Sequence, residues 1–188
     1  MTGMTSAGTA YRLRPVGEED APAVLAAFTS APDMARQGDV TDLDTAQAHV
    51  EWLRTGPRRA FAIEVDDRLV GVVALVVDRT NRNGWVFYWL HAEHRGRGVT
   101  ARAAATVCDW ALRPDGGGLE RLELGHRVNN PASGGVARAA GFVQEGRERG
   151  KFLVDGERVD VLTYGRLRSD PWPEVEPLPL EAPPEWMV

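Results

Sequence analysis

One stretch limits what this chain can become more than any other: an aromatic run that ends in a glycine-framed turn and resumes as a helical stripe. Gly84-Trp85-Val86-Phe87-Tyr88-Trp89-Leu90 is rich in residues that favour a strand. His91 to Arg95 is polar, and Gly96-Arg97-Gly98 follows. Val99, Ala103, Val107 and Ala111 then recur every four residues, one face of a helix that Arg113-Pro114 and three glycines bring to an end. A helix that starts on glycines presents unpaired backbone N–H groups and the positive end of its dipole. That arrangement suits a phosphate or diphosphate, and Arg95 and Arg97 add charge beside it.

The flanking sequence supplies a sheet for that unit. Thr9 to Arg14 alternates as a first strand, stopped by Pro15. Glu18-Glu19-Asp20 opens a helix running to Phe28. Asp44 with Gln47 three residues on reads as a capping box for a second helix, whose apolar face is Ala46, Val50 and Leu53. Arg59 to Val65 and Leu69 to Val77 form a hairpin, and the aromatic strand extends it into an antiparallel meander. Leu119 to Leu124 is the next strand, parallel to its neighbour because a helix intervenes. Asn130-Pro131 caps a short helix ended by Gly141. Phe142 to Glu148 and Val159 to Leu167 are the last strands, with Lys151 to Val154 paired across Asp155-Gly156. The expected class is α/β (α+β): a mixed, mostly antiparallel sheet of about seven strands with helices on both faces.

Composition narrows the function. The formal net charge of −5 argues against broad nucleic-acid binding. No apolar run approaches the ~18 residues of a membrane span, so no membrane partner is expected. Met1 to Ala10 lacks a signal pattern, and the single cysteine, Cys108, suits a reducing compartment; a cytoplasmic protein is expected. Monomer and homodimer both stay open. The segment 170–188 holds six of the 12 prolines and reads as an extended tail beyond a domain at 9–169, docked through its tryptophans or free.

Arg95-Gly96-Arg97-Gly98-Val99-Thr100 resembles the Arg/Gln-x-x-Gly-x-Gly/Ala loop of the GNAT superfamily of N-acetyltransferases. Tyr88-Trp89-Leu90, Asn130-Pro131-Ala132-Ser133 and Gly141-Phe142 resemble its RimJ/RimL-like branch, and Thr100 departs from the usual Gly/Ala. The resemblance implies the acyl-CoA N-acyltransferase fold, its sheet splayed at the middle. It implies acetyl-CoA as co-substrate, no metal, and direct transfer of acetyl to a primary amine, either a protein N-terminus or a small molecule. Residues Arg95 to Ala101, including Val99, would hold the diphosphate, Tyr88, Trp89 and Leu90 the pantetheine arm, and Asn130 and Ser133 the reactive end.

The acid and base are less defined. A tyrosine that many relatives carry seven residues after the asparagine is Ala137 here, and a glutamate that others place on the preceding strand is Gly125. Ser133 is the nearest hydroxyl for the departing sulfur, and Glu123, on the same side of a regular strand as Gly125, is the candidate base through water. His91 or His126 could serve as a base, though surface hydrogen bonding explains each as well. His91 and His94 lack the partners of a zinc site. Cys108 reads as a core thiol and Tyr164 as packing. Two alternatives stay open: a catalytically idle acyl-CoA-binding or sensing module, and an NAD(P)-dependent oxidoreductase, because Gly96-Arg97-Gly98-Val99-Thr100-Ala101 matches Gly-x-Gly-x-x-Ala with Glu123 downstream.

Overall fold

A computed structural model describes residues 10–184; Thr9 and Trp186 lie outside the described residues. The strands are β1 (Arg12–Pro15), β2 (Arg58–Val65), β3 (Arg68–Asp78), β4 (Asn83–Leu90), β5 (Arg121–Arg127), β6 (Val143–Val154) and β7 (Glu157–Leu167). The helices are α1 (Ala21–Thr29), α2 (Leu43–Arg54), α3 (Val99–Leu112) and α4 (Pro131–Ala139), with a 3-10 turn at Pro32–Arg36. One seven-stranded sheet runs β1-β2-β3-β4-β5-β7-β6. Every pairing is antiparallel except β4 with β5.

Alternation along β2 and β3 explains the two layers. Ala60, Ala62, Val72 and Ala74 face α1 and α2, meeting Val24, Phe28, Val50 and Leu53. Phe61, Ile63, Val73 and Leu75 face α3 and α4, meeting Ala103, Val107, Leu112 and Ala137. The helical stripe Val99, Ala103, Val107 and Ala111 is buried throughout. Cys108 is fully buried beside it, and burial pushes its thiol up to about 12.

Three local expectations shift. The cap of α2 is Asp42, not Asp44: Asp42 is extended (φ −148°), accepts from the Thr45 N–H, and the Thr45 hydroxyl accepts in return from the Asp42 N–H. Pro15 ends β1 as a paired residue opposite Phe61 rather than stopping the strand before it, which its place on an edge strand allows. Strand β5 begins two residues later than expected, because Leu119 donates to Ala111 and Glu120 to Arg82 in the loop before it.

The proline-rich segment lies on the body. Trp172 stacks with Arg113 and Arg166, and Arg102 donates to the carbonyl of Glu176. Leu178 is buried and donates to the Thr106 hydroxyl. The chain then pairs along the outer edge of β1, Leu13 donating to Pro179 and Glu181 to Leu13.

Candidate active site

The β4–β5 pairing covers only Asn83↔Arg121, Gly84↔Leu122 and Trp85↔Glu123. Beyond Trp85 the strands part, while β4 stays paired to β3 as far as Leu90 and β5 to β7 as far as Arg127. From Val86 to Leu90 one edge of β4 is therefore open to an amide-bearing ligand that adds as a strand. A cleft of about 440 Å³ opens there, lined by β4, the loop from His94 to Ala101, and the start of α4.

The glycine turn has the form expected of an anion cradle. Gly96 (φ 74°) and Gly98 (φ 72°) are left-handed, and a Cβ on either would enter open space. Gly98 is the N-cap of α3, and the first intrahelical bond of the helix runs from Arg102 to its carbonyl. The N–H groups of Val99, Thr100 and Ala101 thus have no acceptor within the helix. Gly98, Val99, Thr100 and Ala101 all line the cleft. These residues fit a diphosphate.

The two arginines differ from the expectation. The Arg95 guanidinium is committed to both oxygens of Asp33, at 3.0 Å each, and to the Leu90 carbonyl. It ties the loop to the 3-10 turn and lines the cleft without a free charge. Arg97 is exposed and has no ion-pair partner among the described residues. His94 lines the cleft, meets the Tyr11 hydroxyl at 3.0 Å, and burial lowers its pKa.

Ser133 lies in the first turn of α4 and lines the cleft, and its partner was not legible in the sequence. The Tyr88 hydroxyl lies 2.8 Å from Ser133 Oγ and donates to the Ser133 carbonyl at 3.0 Å. Asn130 caps α4, its Oδ1 accepting from the Ser133 N–H at 3.4 Å. Burial pushes the Tyr88 phenol up to about 12, so it stays protonated at neutral pH. A second hollow of about 200 Å³ lies behind this pair and shares Gln37, Tyr88, Asn130 and Ser133 with the first. The Tyr88–Ser133 contact is therefore the throat between two hollows.

Glu123 is not brought to the throat. It accepts from Arg121 at 2.8 Å, sits at the last paired position of the parallel ladder, and lines neither hollow. The reason is local: the sheet has not yet split at Glu123. The Trp85 indole leans instead toward Gly125, where a Cβ would meet its Cη2 at 3.3 Å. His126 lines the second hollow, but its Nδ1 donates to the Arg127 carbonyl and its Nε2 lies 3.2 Å from the Tyr164 hydroxyl. Both ring nitrogens are engaged. His91 Nδ1 accepts from the Glu93 N–H and stands outside both hollows.

The family model described as Acetyltransferase (GNAT) domain matches residues 11–143. The chain belongs to the GNAT acetyltransferases. It is similar to the ribosomal-protein-serine acetyltransferase of Escherichia coli (strain K12), 32% identical over 125 residues that cover 65% of this chain and 68% of that one. It is similar in structure to Mycobacterium smegmatis RimJ in complex with CoA-disulfide, with 26% identity and a TM-score of 0.69, covering 82% of this chain and 80% of that chain. RimL, a ribosomal L7/L12 alpha-N-protein acetyltransferase solved with coenzyme A, shares the fold at a TM-score of 0.76 and 23% identity, covering 88% of this chain and 98% of that chain. These relatives place the chain in the RimJ/RimL-like branch as an acetyl-CoA-dependent N-acetyltransferase. The oxidoreductase alternative falls, since β4 enters from a meander and five residues separate it from the first glycine. Among the described residues, no helix is long and apolar enough to cross a membrane.

Proposed function

We propose that this acetyltransferase moves the acetyl group directly from acetyl-CoA to the α-amino group of a protein N-terminus, within a ternary complex and in the cytoplasm, where a lone reduced Cys108 is at home. The observation that carries the reading is the throat: one residue pair, Tyr88 and Ser133, borders a donor cleft on one side and a second hollow on the other. Bound acetyl-CoA brings a thioester carbonyl to that throat. The N–H groups of Val99 to Ala101 hold its diphosphate, and the open edge of β4 orients its amide arm. Proximity then does much of the work, since amine and thioester meet in a fixed geometry.

Bond changes follow from the groups at hand. The C–N bond forms as the C–S bond breaks. The Ser133 hydroxyl passes its proton to the departing sulfur, which leaves as the CoA thiol, and Ser133 takes a proton back from water, while Tyr88 stays protonated with its O–H on the Ser133 carbonyl. The amine proton leaves to water, because among the described residues no carboxylate lines the second hollow and both nitrogens of His126 are taken. The supporting kinship is the name of the Escherichia coli relative, which acts on a ribosomal protein's serine.

The test is an acceptor screen with purified full-length protein and acetyl-CoA. Free thiol release and the mass gain of one acetyl group are read across peptides with free N-termini, lysine-bearing peptides with blocked N-termini, and small polyamines. Acetylation of free N-terminal peptides alone supports the reading. Exclusive use of small amines or lysine side chains overturns it.

A further inference from the structure

Among the described residues, the second hollow carries two arginines, Arg36 and Arg127, and no aspartate or glutamate. The same two residues line a third, outer hollow of about 530 Å³ between the 3-10 turn Pro32–Arg36 and the β6–β7 hairpin tip. The two guanidiniums thus stand just beyond the throat and continue outward from it. Neither forms an ion pair among the described residues, although the chain has 27 acidic against 22 basic side chains and ties many of its arginines to carboxylates.

The nearby acids do not cancel them. Asp33 lines the outer hollow, but its carboxylate is taken by Arg95 through two hydrogen bonds. This pairing offsets the Asp33 charge at the wall of the hollow. Asp155 stands at the hairpin turn, in the outer hollow only. Arg127 is held in place over the Phe152 ring, 4.9 Å from its centroid, so its charge is fixed at the wall rather than swinging in solvent. Pro32, Leu153 and Val154 give the outer hollow an apolar side along which a main chain can lie.

We infer that the acceptor is a peptide whose residues directly after the reacting N-terminus carry carboxylates, recognised by Arg36 and Arg127. The inference rests on the N-terminal reading above. An amine at the throat leaves the following residues opposite the two guanidiniums, and a planar guanidinium binds a carboxylate through two N–H groups. A lysine there would meet two like charges.

The experiment compares two peptides of equal length with free N-termini, identical except for aspartate and glutamate or lysine at the second to fourth positions. With wild-type protein, kcat/KM for the acidic peptide is expected to be about tenfold or more the higher, and the gap to narrow as salt rises. Arg36→Glu, on an exposed turn, is expected to shrink the preference, and Arg36→Glu with Arg127→Glu to reverse it. In both variants the affinity for CoA by calorimetric titration and the melting temperature serve as controls. Equal use of the two peptides, or a preference that survives the double reversal in a folded protein, overturns the inference alone. Failure of both peptides alongside acetylation of a small amine overturns the N-terminal reading and the inference with it.

Discussion

The Tyr88 hydroxyl lies 2.8 Å from Ser133 Oγ, joining a strand to a helix at the point where the sheet has opened. In the proposed reaction Ser133 serves the departing sulfur and is reprotonated by water, and Tyr88, whose phenol burial pushes up to about 12, stays a neutral hydrogen-bond partner that fixes the Ser133 side chain. Ser133→Ala is expected to lower kcat by about 10- to 100-fold, within the range of general-acid catalysis, with CoA affinity within about twofold of wild type. Tyr88→Phe should give a smaller loss, and the double variant less than the product of the two, because the residues act as a unit. Steady-state thiol release and calorimetry read both quantities. Turnover unchanged in Ser133→Ala removes it from the chemistry.

Gly98 separates backbone strain from charge. Its φ of 72° is left-handed, yet a Cβ there meets nothing within 4 Å. Gly98→Ala therefore costs about 1 kcal/mol of backbone strain and should weaken CoA binding only modestly. Gly98→Glu adds the same strain plus a carboxylate beside the diphosphate cradle, and binding should become undetectable while the fold persists. Calorimetric titration of CoA with a melting curve for each variant distinguishes the two. Equal affinities for Gly98→Glu and wild type would place the diphosphate elsewhere.

Where sequence reading succeeded, the signal was local. The run from Gly84 to Leu112 declares strand, turn and helix through residues that are neighbours in the chain, and the structure follows it. The splay came only through the family resemblance, since nothing in the apolar pattern of β4 says that its edge goes unpaired after Trp85. Tyr88 and Ser133 are 45 residues apart and meet only once α4 packs beside β4, so their contact had no sequence signal. Glu123 shares a strand face with Gly125 but sits at the last paired position, just before the strands part, a placement that register decides. The Asp42 cap was readable, because Thr45 sits three residues on, but Asp44 with Gln47 offered an equally good pattern.

The C-terminal segment behaves as a strap that closes an edge. Leu178 is 3% exposed, and the outer edge of Leu13 is satisfied by Pro179 and Glu181. Truncation after Ser169 removes a buried leucine worth about 1.5–3 kcal/mol and hydrogen bonds worth about 1 kcal/mol each, less the entropy of ordering the strap. A fall in melting temperature of about 5–10 °C is expected for a chain of this size. The uncovered β1 edge should also promote concentration-dependent association, visible in light scattering. A truncated protein as stable and monodisperse as the full chain would make the strap incidental.

His49 gives the fold an acid-side weakness. Its ring sits among Phe28, Trp52 and Trp89, at centroid distances of 5.0, 5.6 and 6.4 Å. Among the described residues its buried Nε2 has no hydrogen-bond partner, nor has the nearby Trp89 indole nitrogen. Burial lowers the His49 pKa below the ordinary imidazole value, so the folded protein resists its protonation. Between the lowered folded value and the unfolded value near ~6.5 the unfolded state binds more protons, and stability rises with pH through that window. Stability should thus be lost as pH falls below ~6.5, level off once the folded state also protonates, and show no His49 dependence above that range. His49→Phe keeps an aromatic ring in the cluster and removes the titration. Urea unfolding of wild type and variant from mildly acidic to neutral pH should show a shallower slope in the variant. Superimposable slopes would assign the acid sensitivity to other groups.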